Sequence, residues 1–311
     1  MMAPPRIAWP DGKRFAFTVF DDTDKSTVQN VGPLYAFLAD CGFRTTKSVW
    51  PVRGPRKPRL GGETCDDPHY LEWVRSLKAQ GFEIGFHSAT FHTSTRDETR
   101  RALDRFRDLF GEDPKTMANH AHCEEAPYWG AQRVSGVNRL AYSLMTRGRK
   151  DSKFRGHVEG DELFWGDLCH ERVKYMRNFV FADINTLKAC PVMPYHDPDR
   201  PLVQYWFASS EGATIEPFID CISEANQDRL EEEGGACIMY THFAGFDRDP
   251  ARYDRFKSLM TRLSRKKGWF VPAGTVLDYL LDARGRQVLT PSQRGRLERR
   301  WLLHKLRTGT S

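Results

Sequence analysis

Phe15-Ala16-Phe17-Thr18-Val19-Phe20-Asp21-Asp22 runs six residues of aromatic and aliphatic character into two adjacent carboxylates, with Thr23 and Asp24 next. Such a run predicts a strand covered on both faces, the kind that belongs to a parallel sheet with helices around it. Barrels and open sheets of that build carry their function at the carboxyl ends of the strands, where these acids fall. Read alone, the acidic pair is equally a solvated turn and helix cap. The rest of the chain decides between the two.

Outward from this stretch, strand and helix alternate. Val31 to Cys41 has helical spacing and stops at Gly42. Arg44 to Trp50 reads as a second strand, and Pro51 to Gly62, rich in Pro, Gly and Arg, reads as a surface loop above the strand ends. A helix from Pro68 to Gln80 precedes a third strand, Phe82 to Phe86, which runs into His87. Asp97 to Phe110 is an amphipathic helix with Gly111 as its stop, and Lys115 to Asn119 is a short fourth strand ending in Asn119-His120-Ala121-His122. Residues 126–177 read as an insertion or elaborated connection. Asn178 to Asp183, Leu202 to Ser209, Ala236 to Thr241 and Trp269 to Pro272 complete the strands, with helices from Glu216 to Glu232 and Pro250 to Lys267 among them. The alternation predicts an α/β fold, a mostly parallel sheet of seven or eight strands closed or nearly closed into a (β/α) barrel over residues 1–283.

Composition narrows the class. A hydrophobic share of 40% with 12% aromatic residues argues for a folded core rather than a disordered chain. No run of 18 apolar residues occurs and the start, Met1 to Arg6, has no apolar leader, so a cytoplasmic protein is expected. Seven scattered cysteines without a CxxC read as reduced thiols, neither a disulfide framework nor a zinc knuckle. The net charge of +6 is unevenly placed: residues 284–311 hold eight basic residues and one acid, +7, which leaves −1 for the remainder. This basic tail, with Leu297, Trp301 and Leu306, suits an interfacial helix on the inner face of an anionic membrane, or equally a helix packing Trp301 and Leu302 on the barrel. Nucleic acid is not an expected partner, because no aromatic-interleaved basic face occurs elsewhere.

His87 and His92 follow the third strand at once, in Phe86-His87-Ser88-Ala89-Thr90-Phe91-His92, and His242 closes Cys237-Ile238-Met239-Tyr240-Thr241-His242. One histidine after a strand is more often a packing residue than a ligand. Several strand tips bearing Asp, His and His are harder to explain by packing, and two imidazoles with a carboxylate form a facial ligand set for zinc or a similar divalent ion.

With these residues the chain resembles the polysaccharide deacetylases of the NodB-homology type, carbohydrate esterase family four, whose members are distorted (β/α) barrels. Thr18-Val19-Phe20-Asp21-Asp22 is similar to the family's T-F-D-D with one residue inserted. His87-Ser88 and His92 are similar to H-[ST]-x-x-H, again with one extra residue, and Met239 to His242 approximates L-x-H. The resemblance implies a divalent metal ion, zinc by type, held by Asp22, His87 and His92, with Asp21 as general base and His242 as general acid. It departs from the family in three places. His87 and His92 are five apart, which on an ideal helix turns them ~140° from one another. The arginine-proline motif that orients the catalytic aspartate is absent, and Asn119 or His120 stands in its place as a hydrogen-bond donor. Asp183 is the one counterpart for the acid that supports the histidine. The function implied is removal of an N-acyl group, acetyl foremost, from the sugar of an intracellular polysaccharide or glycolipid precursor. The alternative is a non-catalytic carbohydrate-binding or scaffold protein on the same fold.

Overall fold

The computed structural model describes residues 7–55 and 61–308; the first six residues, the middle of the Pro51 to Gly62 loop and the last three residues lie outside it. Its strands are β1 (Phe15–Asp21), β2 (Thr46–Val49), β3 (Glu83–Phe86), β4 (Thr116–Met117), β5 (Tyr175–Phe181), β6 (Tyr195–His196), β7 (Tyr205–Ser210), β8 (Ala236–Thr241), β9 (Gly268–Trp269) and β10 (Gln287–Val288). Seven of them, in the order β1-β2-β3-β4-β5-β7-β8, run parallel and close on β1. Helices surround this barrel, as the alternation predicts. The closure is uneven. β1 and β8 share the register from Ala16↔Ala236 to Asp21↔Thr241, whereas β7 and β8 meet only at Ser210↔Met239, and that weak seam is the distortion.

Every residue of β1 is buried, as a strand covered on both faces requires. Its period of two sorts the side chains. Phe17 packs on Phe43 in the layer outside the barrel, while Phe20 meets Phe207 across the interior at 6.1 Å between ring centroids. Asp21 therefore belongs with Phe17 and Val19, and Asp22 with Phe20.

Local sequence sets the helix ends. Thr95 and Glu98 form a reciprocal capping box at the start of the helix Arg96–Phe110, and Gly111 ends it in the left-handed region at φ 80°. The Glu216 to Glu232 helix is in fact two, Ile215–Cys221 and Glu224–Glu233.

Two boundaries differ from expectation. β5 begins at Tyr175, inside the stretch read as an insertion, so the last three residues of that stretch belong to the barrel wall. The described part of the basic C-terminal segment, residues 284–308, packs on the rest of the chain. The helix Pro291–Thr308 lies against the barrel and against the helix Gly136–Thr146, with Trp301 fully buried on Tyr142 and Phe179 at 5.5 Å and Leu297 and Leu302 beside it. The packing of Trp301 and Leu302, one of the two readings of this segment, is observed. Its charged residues are partnered: Arg294 with Asp197, Asn138 donating to Glu298 at 2.8 Å. No helix among the described residues is long and apolar enough to cross a membrane.

Candidate active site

Beyond β1 the chain makes a tight turn in which Ser26 N–H donates to Thr23 O at 2.9 Å and Lys25 adopts φ 63°. A second strap holds the turn, since Glu63 N–H donates to Ser26 O at 2.8 Å. The turn presents Asp24 over the barrel mouth, on the same side as Asp22 and Phe20.

Three imidazoles converge on that one carboxylate. His87 Nε2 lies 3.3 Å from Asp24 Oδ2, His120 Nε2 lies 2.8 Å from Oδ1, and His242 Nε2 lies 3.2 Å from Oδ2. Each ring is held from behind through its other nitrogen: His87 Nδ1 on Ala118 O at 3.0 Å, His242 Nδ1 on Ala213 O at 3.0 Å, His120 Nδ1 on Cys123 Sγ at 3.3 Å. A carbonyl can only accept, so the Nδ1 of His87 and of His242 carries the proton, and in the neutral ring the Nε2 lone pair faces inward. Outer partners of this kind fix the tautomer of a metal-binding imidazole.

Asp22 sits beside this group. Arg177, on β5, reaches across the barrel and grips it with both arms, at 2.9 Å to Oδ1 and 2.5 Å to Oδ2, leaving Asp22 Oδ2 at 3.9 Å from His87 Nε2. Arg177 is itself stacked on Tyr240 at 4.3 Å and Phe20 at 5.2 Å. The β5–β7 ladder is bulged immediately after it, between Arg177 and Val180, and such a bulge bends a strand and re-aims its side chains.

Burial favours neutral carboxyls, but here it is overcome. It acts to raise the pKa of Asp22, while the charge and hydrogen bonds of Arg177 bring it below the ordinary value. Burial also acts to raise Asp24, and its contacts with the His120, His242 and His87 rings hold it well below. Burial lowers the pKa of His120 in spite of Asp24. For His242 burial is outweighed by Asp24 and Asp22, which bring it up to about 9. A divalent cation on Asp24 would oppose that last shift by repelling a second positive charge.

Asp24, His87 and His120 have ligand atoms within 4.8 Å of one another, and all three residues are buried. Their chemistry, one carboxylate and two imidazoles with Nε2 turned inward, fits zinc or a similar divalent ion with positions left open. Asp22, Asp24 and His242 form a second, overlapping group. Both oxygens of Asp22 are already engaged by Arg177, which favours the first set.

The residues expected from sequence are thus only partly brought together. His87, His120, Asp22 and His242 meet at the mouth. Asp21 faces away from it, into the layer under the helix Val28–Asp40, where it pairs with Lys47 Nζ at 3.0 Å and accepts from Tyr35 OH at 3.0 Å and Phe243 N–H at 2.9 Å. His92 is not among the converging donors. Ser88 leaves the strand at φ 64°, the residue four beyond His87 is Phe91, and Phe91 packs on His120 at 5.0 Å while His92 lies edge-on to Phe91. Asn119 lines the cavity and donates to Pro127 O at 3.2 Å, not to an aspartate. Asp183 is engaged elsewhere, by Arg229 at 3.2 Å and Arg300 at 3.3 Å, and has no contact with His242. Asp24 and Arg177 were not anticipated. Continuing the period of two past Phe20 and Asp22 points to Asp24; no local signal marks Arg177, whose partner is 155 residues away.

The site opens into a cavity of about 750 Å³ lined by Asp22, Asp24, His87, His120, Arg177 and His242 among others. Structures assigned as polysaccharide deacetylases from Mycobacterium smegmatis and Pseudomonas aeruginosa PAO1 superpose on this chain. The first is 14% identical with a TM-score of 0.52 over 93% of this chain and 99% of the other; the second is 14% identical with 0.53 over 91% and 96%. The fold is that of the polysaccharide deacetylases. PuuE allantoinase also shares the deacetylase fold, at 12% identity and a TM-score of 0.51 over 91% of this chain and 95% of the other. No protein-family profile and no curated protein matches the sequence. At these identities the likeness is one of architecture, so the chemistry rests on this chain's own residues.

The loop that delivers His120 to the barrel also buries Glu125, neither of whose carboxylate oxygens has a hydrogen bond. Burial pushes this carboxyl up to about 8, against smaller opposing effects of the Glu125 and Ser94 backbone N–H groups and the Cys123 thiol, while Glu98 adds to the rise. The unfolded chain releases this proton near 4.5, the ordinary value for glutamate, and the folded chain holds it to about 8, so stability falls as pH rises between them. The slope is ~1.4 kcal/mol per pH unit at most. Glu125→Gln, neutral throughout, is expected to lack this slope and to be more stable than the parent at pH 8 by several kcal/mol, on the order of 3–5. Urea denaturation at pH 6 and pH 8 checks it; parallel pH dependence in the two proteins contradicts it.

Proposed function

We propose that the protein is a metal-dependent hydrolase that removes an N-acyl group, acetyl foremost, from an amino sugar in a polysaccharide or glycolipid precursor. The observation that carries this reading is the convergence of His87, His120 and His242 on Asp24 at the mouth of a parallel barrel, beside an ionised Asp22. The name polysaccharide deacetylase attached to two structures of this fold supports the sugar amide as substrate. Seven free cysteines, five of them buried, support a reducing, cytoplasmic setting.

Asp24, His87 and His120 would hold the divalent ion. Bound there, it supplies Lewis-acid polarisation of the amide oxygen and a lowered pKa for water. Asp22, fixed by Arg177, takes the proton of the attacking water as the new C–O bond forms at the carbonyl carbon. His242, on the other side of Asp24, gives a proton to the departing nitrogen as the C–N bond breaks. The products are acetate and the free amine. The three pinned rings and the Arg177 clamp pre-set these positions, so little reorganisation is left to the reacting state.

Acetate release from N-acetylated sugars and their activated precursors tests the reading. Release that stops on chelation and returns with zinc supports it. Stoichiometric metal with no release across a broad panel supports instead the carbohydrate-binding alternative.

A further inference from the structure

Arg133 is a buried cation without a counter-charge. It is 3% exposed, its Nε has no hydrogen bond, and among the described residues no carboxylate pairs with it. The 3-10 turn Gly130–Arg133 delivers it to the wall of the cavity that holds Asp24. There its guanidinium lies 3.1 Å over the ring of Trp129 and 5.1 Å from that of Trp301. The rings supply cation–π attraction and fix the plane of the fork, but they accept none of its N–H donors.

An arginine removed from water without an acid is costly, because only a partner with matching acceptors offsets the lost hydration. The surrounding field adds to the effect. Arg177, the neighbour whose positive charge acts on Arg133, is itself committed to Asp22. Lys305, also buried in this wall, has Glu211 at 3.9 Å. Five basic side chains line the cavity against three acidic ones, and each of the three acids already has a partner. Low-dielectric walls concentrate such an imbalance.

We propose that Arg133, held over Trp129 and beside Trp301, is an anion subsite, and that the substrate carries a carboxylate or phosphate apart from its scissile amide. The planar fork suits the two-pronged oxygen pattern that both groups share. The inference deepens the hydrolase reading and takes the cavity as the substrate site from it. It narrows the substrate to an anionic amide and gives Arg133 a binding and positioning role, remote from the reacting carbon.

The test is equilibrium binding of inorganic phosphate and of acetate to the metal-loaded protein, followed calorimetrically, for the parent, Arg133→Met and Arg133→Lys. Methionine keeps the apolar contacts with both tryptophans and removes the charge. Arg133→Met is expected to weaken binding of at least one anion about ten- to hundredfold, the loss of a charged hydrogen-bonded contact. Its melting temperature should be unchanged or higher, since an uncompensated buried charge is gone. Arg133→Lys, which keeps charge without the fork, should recover part of the affinity and serves in its place if the methionine variant does not fold. The anion whose affinity falls more identifies the group carried by the substrate. Equal affinities in parent and variants, or no anion binding by the parent, would overturn the proposal. Because the readout is binding, loss of the subsite with acetate release intact removes this inference alone, and binding that depends on Arg133 without any release removes the hydrolase reading alone.

Discussion

Asp22→Asn is expected to reduce acetate release by ~10²–10⁴-fold, the usual contribution of a positioned general base, while the protein keeps its metal. The two effects separate because Asp22 and Asp24 are assigned different tasks by different neighbours. Both oxygens of Asp22 are in the grip of Arg177, and its nearest imidazole nitrogen is 3.9 Å away. Asp24 has three within 3.3 Å. The asparagine preserves shape and one acceptor but cannot take a proton from water. Arg177 loses half of a buried ion pair in this variant, so stability falls as well, and rates belong at a temperature where the variant is folded. Loss of metal together with activity would instead assign Asp22 to the ligand set.

Asp21→Asn should have the opposite signature. Lys47 and Asp21 are both fully buried, and with the carboxylate gone Lys47 Nζ keeps only Ser26 Oγ at 3.1 Å among its described contacts. Breaking a buried pair by removing one partner costs about 3–5 kcal/mol, because the remaining charge has no counter-charge. Tyr35 and the Phe243 N–H can still donate to the amide oxygen, so the loss is chiefly that of the ion pair. Urea denaturation is expected to show this destabilisation, and metal content and acetate release per folded molecule should be close to those of the parent. A variant of unchanged stability that no longer turns over substrate would return Asp21 to the role of base.

The contrast between these neighbours shows how far the sequence could be read. The strand Phe15–Asp21, its buried faces and its acidic tip follow from composition and period. So does the alternation that builds the barrel, since each element is specified by its own residues. Family spacing takes Asp21 and Asp22 as one functional pair, although neighbours on a strand point to opposite faces. The pleat puts Asp21 under the helix Val28–Asp40 and leaves Asp22 and Asp24 as the pair that shares a face. A similar offset affects His87 and His92. The extra residue puts Phe91 four beyond His87, and the imidazole that faces Asp24 beside His87 is His120. No local pattern reports that juxtaposition, because the two histidines come together only when β3 and β4 pair. Arg177 is hidden for another reason: its strand begins inside the stretch read as an insertion or elaborated connection, and its partner lies across the barrel. The C-terminal segment was read from its charge. Its buried face includes Arg294, Glu298 and Lys305, whose partners Asp197, Asn138 and Glu211 are distant in sequence, so a packed helix has the composition of a solvated one.

Metal content of His120→Ala and His92→Ala, purified side by side and compared with the parent, tests the assignment of the centre most directly. The parent should hold one divalent ion per chain, His120→Ala should lose it, and His92→Ala should retain it, since the loss of a ligand exceeds the ~10–100-fold in affinity that an outer partner contributes. Retention by His120→Ala with loss from His92→Ala, or a parent that binds no divalent ion, would contradict a centre built on Asp24, His87 and His120.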